Sequence, residues 1–135
     1  MAFHPYLYFN GDCREAFTRY QELFGGELMI LDGTQAPPGE IPEDKLDMVM
    51  HAALTTEDGA LLMASDVYEQ YAPPAGMYVH YSTTDLDRGR AIFEGLSDGA
   101  DVTSPGQEMF WTPFYGALTD RWGTRWQVSV EQTEA

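Results

Sequence analysis

Residues 5–28, PYLYFNGDCREAFTRYQELFGGEL, carry the reading that decides the fold. Pro5 to Phe9 is a short aromatic run suited to a strand, and Asn10-Gly11-Asp12 breaks it. Asp12 stands where a helix N-cap is expected. From there Ala16, Phe17, Tyr20, Leu23 and Phe24 recur at helical spacing, so one face of a helix over Cys13–Phe24 is apolar. Gly25-Gly26 is a helix stop, and Glu27 to Leu31 reads as the next strand.

Working outward, 33–44 holds Pro37, Pro38, Gly39 and Pro42 and is expected to be a loop. Asp47–Thr56 and Ala60–Asp66 read as strands joined by a Glu57-Asp58-Gly59 turn. The midpoint, Tyr68 to Gly76 with Pro73-Pro74, reads as a linker. The same order then returns: a strand at Met77–Thr83, Asp85 capping a helix that ends near Ser97-Asp98-Gly99, and strands at Asp101–Thr103 with an extension, Phe114–Thr119 and Thr124–Glu131. A shift of 73 brings Asp12 onto Asp85 and Gly26 onto Gly99; a shift of 64 brings Gly59 onto Gly123 and Met63 onto Gln127. Matching caps and turn glycines predict an internal duplication. The expected fold class is α+β, one domain over 1–135 built from two βαβββ modules at 1–67 and 77–132.

With 135 residues, 44% of them hydrophobic, the chain is long enough for one packed core and too short for two independent ones. No apolar run reaches the roughly 20 residues of a membrane span. MAFHPYLYF lacks a basic segment leading into an apolar one, so no secretory signal is expected. Cys13 is the only cysteine, which excludes an intrachain disulfide and fits the cytoplasm. Twenty-two acidic residues against seven basic ones give a net charge of -15, which argues against nucleic-acid and membrane-surface partners.

Several phrases resemble one family in order along nearly the whole chain: Pro5 to Gly11, Cys13-Arg14-Glu15-Ala16-Phe17, Phe24 to Leu28, Met50-His51-Ala52, Met63-Ala64-Ser65-Asp66, Phe110-Trp111, Phe114-Tyr115-Gly116 and Asp120 to Trp126. They are similar to the PhnB-like (demethylubiquinone methyltransferase-like) branch of the vicinal oxygen chelate superfamily, the glyoxalase, bleomycin-resistance and dioxygenase group. The resemblance implies a cup in each half, an unidentified small molecule as ligand, and a homodimer. In metal-dependent members the ligands come from the first and fourth strands of each half. That pattern lands on Pro5, Met63, Val79 and Gln127, none of them an imidazole or carboxylate, so no metal or other cofactor is expected. A one-residue slip would bring His4 and His80 near two of those places instead. Methyl transfer gains no support from the residues, because no Gly-x-Gly-x-x-Gly loop lies between a strand and a helix.

The candidate ligand-binding residues are therefore Met63, Val79 and Gln127, with Arg125 as an anion partner and Trp111 and Tyr115 as stacking surfaces beside Phe114 and Glu108. A two-residue Asp58-Gly59 turn would put His51 opposite Asp66, either as a general base with its orienting carboxylate or as a tie within the sheet. Catalytic residues stay unassigned, and Cys13 is expected to be a buried helix residue. The first expectation is a metal-free small-molecule binder. The alternatives are a metal-dependent lyase, isomerase or dioxygenase using His51, Asp66 or Glu108, and a non-catalytic dimeric interaction domain.

Overall fold

The computed structural model describes residues 2–67 and 69–132. Met1, Tyr68 and residues 133–135, which include both ends of the expected domain and the first residue of the expected linker, lie outside the described residues. The chain divides into two compact units, Met1–Ala72 and Pro73–Ala135.

The first unit contains β1 (Tyr6–Phe9), α1 (Cys13–Phe24), β2 (Glu27–Asp32), β3 (Val49–Thr55) and β4 (Leu61–Asp66). Its four-stranded sheet has the order β1-β4-β3-β2, with β1 parallel to β4 and the other pairs antiparallel. The second unit contains β5 (Val79–Thr83), α2 (Leu86–Leu96), β6 (Asp101–Met109), β7 (Thr112–Thr119) and β8 (Arg125–Val130). Its sheet repeats the plan as β5-β8-β7-β6, again with a parallel first pair. Each unit is thus a βαβββ module with an α+β fold.

Packing follows from alternation along the strands. In the first unit Leu7, Phe9, Ala52, Leu54, Leu62 and Ala64 are buried under the apolar stripe of α1, where Cys13, Ala16, Phe17 and Tyr20 are fully enclosed. Phe17 sits edge-on to both Phe9 and Tyr20, with ring centroids 5.9 and 5.4 Å apart. In the second unit Ile92, Phe93 and Leu96 of α2 cover Phe114, Trp126, Val128 and Val130. The opposite face of each sheet carries the polar and half-exposed side chains.

The two hairpins share one turn, and it sets the register. Gly59 N–H donates to Thr56 O at 3.0 Å and Thr56 N–H to Ala60 O at 2.9 Å. Gly123 N–H donates to Asp120 O at 3.0 Å and Asp120 N–H to Thr124 O at 2.8 Å. The loop residue before each strand resumes has positive φ, 87° at Gly59 and 95° at Gly123, where a side chain would be strained. The loop is therefore three residues long, not two, and Ala53, not Leu54, pairs with Met63.

The N-terminus of α1 also departs from expectation. Asp12 makes no side-chain cap; Asp66 Oδ1 accepts the N–H groups of Gly11 and Cys13 instead, each at 3.0 Å. At α2 the expected cap is present, with Asp85 Oδ1 accepting Arg88 N–H at 3.2 Å. The segment between β2 and β3 folds into two short turns, Gly33–Gln35 and Glu43–Lys45. Asp32 caps the first of these, and the Thr34 hydroxyl and amide hold its carboxyl below the ordinary carboxylate range, with Arg14 2.9 Å away assisting. Among the described residues no helix is long and apolar enough to cross a membrane.

Candidate functional site

Strand pairing decides which side chains share the open face of each sheet. In the second unit β5 and β8 are parallel, with Val79 beside Trp126 and His80 beside Gln127. Trp126 is buried against α2, so Val79 belongs to the helix-covered face. His80 takes the place expected for Val79, next to Gln127 on the open face. Val79 is therefore not a ligand-facing residue; the slip expected to bring in His80 is the register of this unit, while in the first unit Met63 pairs with Tyr6 and not with His4.

That open face carries a continuous line of polar side chains. Gln127 Nε2 donates to Tyr115 Oη at 3.0 Å, and Gln127 Oε1 lies 2.9 Å from His80 Nδ1. His80 Nε2 lies 2.9 Å from Ser129 Oγ. In the tautomer with its proton on Nδ1, His80 donates to Gln127 Oε1 and accepts the Ser129 O–H at Nε2. Arg125, two residues before Gln127 on the same face, donates Nη1–H to Met77 O at 3.2 Å. Its guanidinium lies 4.2 Å over the ring of Tyr78. Trp111, half exposed at the β6–β7 turn, has its ring centroid 6.1 Å from that of Tyr115. Phe114 does not join them: it is buried on the other face, edge-on to Phe93 at 5.7 Å.

The open face of the first unit is more apolar. Tyr6 pairs in register with Met63 and Tyr8 with Ser65, while Leu31 and Met29 lie opposite His51 and Ala53. Tyr6 Oη is 3.1 Å from His51 Nδ1, with the two rings stacked 5.7 Å apart. The expected His51–Asp66 pair is not formed. The longer hairpin loop moves the register by one residue: His51 goes to the open face with Met63, while Asp66 stays on the helix-covered face expected for the pair. There its Oδ2 accepts Val49 N–H at 2.9 Å while Oδ1 holds Gly11 and Cys13. Cys13 is fully buried, and desolvation, aided by the charges of Asp66 and Asp12, pushes its thiol up to about 12.

The chain belongs to the 3-demethylubiquinone-9 3-methyltransferase family. That family's model matches residues 1–129. The protein PA1353 from Pseudomonas aeruginosa is 34% identical, with 98% of this chain and 99% of that one covered and a TM-score of 0.89. A PhnB protein from Bacillus cereus, titled a putative 3-demethylubiquinone-9 3-methyltransferase, is 24% identical, with 96% and 99% covered and a TM-score of 0.76. A glyoxylase/bleomycin resistance protein/dioxygenase domain from Frankia sp. shares the fold at 14% identity, with 100% and 94% covered and a TM-score of 0.70. The fold of this PhnB-like family member is thus that of the glyoxalase and bleomycin-resistance group.

Two of the four places that the resemblance gave to metal ligands change residue, Tyr6 for Pro5 and His80 for Val79, while Met63 and Gln127 keep theirs. The register partners are Tyr6 with Met63 in one unit and His80 with Gln127 in the other. Of these four side chains only the His80 imidazole is a donor that first-row divalent ions select, and a phenol, a thioether and a carboxamide do not complete a set around it. Among the described residues no group of three or more His, Cys, Asp or Glu side chains is gathered to hold a metal. A separate cleft of about 700 Å³ lies along the loop of the first unit, lined by Thr34, Pro37, Pro38, Ile41, Pro42 and Leu46 among others. Its lining is mostly proline and aliphatic, and it contains none of the residues above.

Sequence reasoning missed Ser129 and Tyr6 as open-face residues and reached His80 only through the one-residue slip. A signal for Ser129 and His80 was present: polar His80, Ser82, Gln127 and Ser129 alternate with apolar Val79, Tyr81, Trp126 and Val128. That parity alone puts His80, not Val79, beside Gln127.

Proposed function

We propose that this family member binds a small organic molecule on the open face of its second sheet, without a divalent metal. The observation that carries the reading is the Tyr115–Gln127–His80–Ser129 line of hydrogen-bonded side chains on the sheet face turned away from α2. Its groups offer donors and acceptors whose positions are already fixed by one another, so little ordering cost falls on binding. Arg125 at one end supplies a cation, and the Trp111 and Tyr115 rings supply a flat apolar surface. An aromatic molecule bearing a carboxylate matches both. The donor sets at the superfamily's metal places support the metal-free part of the reading. The two mixed sheets, each with a single helix, lack the doubly wound parallel arrangement on which nucleotide-type cofactors are usually held, so methyl transfer is not part of it.

The test is a titration of EDTA-treated protein with a panel of aromatic carboxylic acids, followed by amide and imidazole chemical shifts. Saturable shifts at His80, Gln127 and Trp111 are expected, lost in Arg125→Ala. Binding that requires added zinc, nickel, manganese or iron, or no shift on this face with any acid, overturns it. The family resemblance brings a homodimer with it as an expectation, which sedimentation of the purified chain checks: a mass of two chains supports it and a mass of one sinks it.

A further inference from the structure

Ser129, His80 and Gln127 stand in the order nucleophile, base and orienting group. Ser129 Oγ is 2.9 Å from His80 Nε2, and His80 Nδ1 is 2.9 Å from Gln127 Oε1. Both distances are those of formed hydrogen bonds, the first between a hydroxyl and the base that would take its proton, the second between the imidazole and a carboxamide oxygen. Gln127 is itself anchored through Nε2 to Tyr115, which keeps the carboxamide oxygen turned toward the ring. The backbone fixes the set: Gln127 and Ser129 are two residues apart on β8 and so share a face, and His80 is the register partner of Gln127 on β5. A neutral amide in the third place holds the imidazole tautomer, as the asparagine of Cys-His-Asn sites does. Tyr115 is the register partner of Ser129 on β7. Because its oxygen accepts from Gln127, its own O–H remains to be donated.

We propose that Ser129 is an acyl-accepting nucleophile, activated by His80 and oriented through Gln127, for aryl esters of small carboxylic acids. This rests on the reading that the same face takes an aromatic small molecule. Ser129 Oγ bonds to the ester carbonyl carbon while its proton passes to His80 Nε2. Tyr115 O–H donates to the carbonyl oxygen as negative charge gathers there. The bond from the carbonyl carbon to the phenolic oxygen then breaks, and the departing phenol takes the proton from His80. Water attacks the acyl-Ser129 ester, giving a proton to His80, which returns it to Ser129 Oγ as the carboxylic acid leaves. No oxidant, reductant or metal enters the balance.

The experiment is incubation of the full chain with p-nitrophenyl acetate, with release of nitrophenolate followed and the acetylated residue located by peptide mass mapping. Acetyl on Ser129 is expected, with the acylation rate falling about 100-fold in His80→Ala and partly restored by free imidazole. Ser129→Ala should abolish that label, and Ser129→Cys should carry acetyl at the same position. Gln127→Ala should lower the rate, and Gln127→Glu, which keeps the acceptor, should restore most of it. Acetyl confined to Lys45 or the amino terminus, or a Ser129 label whose rate ignores His80, overturns the proposal. Should the aromatic acids bind this face while Ser129 is never acylated, the nucleophile is excluded and the binding reading stands; acylation without acid binding reverses that outcome.

Discussion

Asp66 Oδ1 lies 3.0 Å from the backbone nitrogen of Cys13, so the last residue of β4 caps the helix that follows β1. The same oxygen accepts Gly11 N–H, and Oδ2 accepts the buried Val49 N–H at 2.9 Å. One carboxylate thereby satisfies a helix start, a strand–helix corner and a strand entry, each of which would otherwise bury an unpaired donor. Asp66→Ala is expected to lower the unfolding free energy by about 3 kcal/mol. Asp66→Asn, with one acceptor oxygen in place of two, should cost about half as much. Urea unfolding at neutral pH measures both, and equal stability of the two variants would contradict the three-way cap.

Asp12 sits beside this cap without taking part in it. Its Oδ1 is buried and has no hydrogen-bond partner. Burial, aided by the charges of Asp66 and Glu15, raises its pKa from the ordinary 3.8 despite opposing backbone hydrogen bonds. The folded state therefore binds more protons than the unfolded state just above pH 3.8, and stability falls as pH rises through that window. Asp12→Asn removes the charge and is expected to stabilise the protein by about 1 kcal/mol at pH 7. Below pH 3.8, where Asp12 is protonated in both states, the gain should shrink toward zero. Thermal melts of the two proteins across that range check it, and a gain that persists at the acid end would locate the effect elsewhere.

Cys13 shares the same corner and is expected to be chemically inert in the native state. A fully buried thiol pushed up to about 12 has almost no thiolate at pH 8. Native protein should resist iodoacetamide for hours, while protein in denaturing urea should be alkylated completely. Modification at the same rate in both would show that the α1 N-terminus opens freely.

The duplicated βαβββ plan was legible in the chain because helix stripes, helix stops and turn glycines are local signals. Asp12 and Asp85, Gly59 and Gly123 fall at equivalent places in both halves whatever the strands do. Register was not legible, since one extra loop residue exchanges the faces of a whole strand. The Glu57–Gly59 loop made that exchange, carrying His51 to the open face and leaving Asp66 on the helix-covered one, free to cap α1. The same parity replaced Val79 by His80, although there the polar alternation on β5 and β8 held the answer. Phe114 was open to either pocket or core, and the same parity decides it. Its neighbours Trp111 and Tyr115 reach open surface, but alternation along β7 sends Phe114 to the core. The Asp66 cap had no sequence signature, because its partners are backbone amides up to 55 residues away.

The core of the second unit gives a further quantitative expectation. Gly116 on β7 lies directly under Phe93 of α2, and a Cβ there would come within 2.6 Å of the ring's Cζ. Its φ is not positive, so the demand is one of space and not of backbone conformation. Gly116→Ala is thus an overpacking change, expected to cost about 2 kcal/mol as the ring is driven from its edge-on contact with Phe114. Phe93→Leu alone should cost a comparable amount through lost burial and the space it leaves. In that background the added methyl has room, so the further cost of Gly116→Ala should fall below about 0.5 kcal/mol. A double-mutant cycle by urea unfolding measures the coupling, with about 1.5 kcal/mol expected between the two sites. Strict additivity would mean that the tight approach of α2 to β7 is relieved by movement of the helix and not by the Phe93 ring.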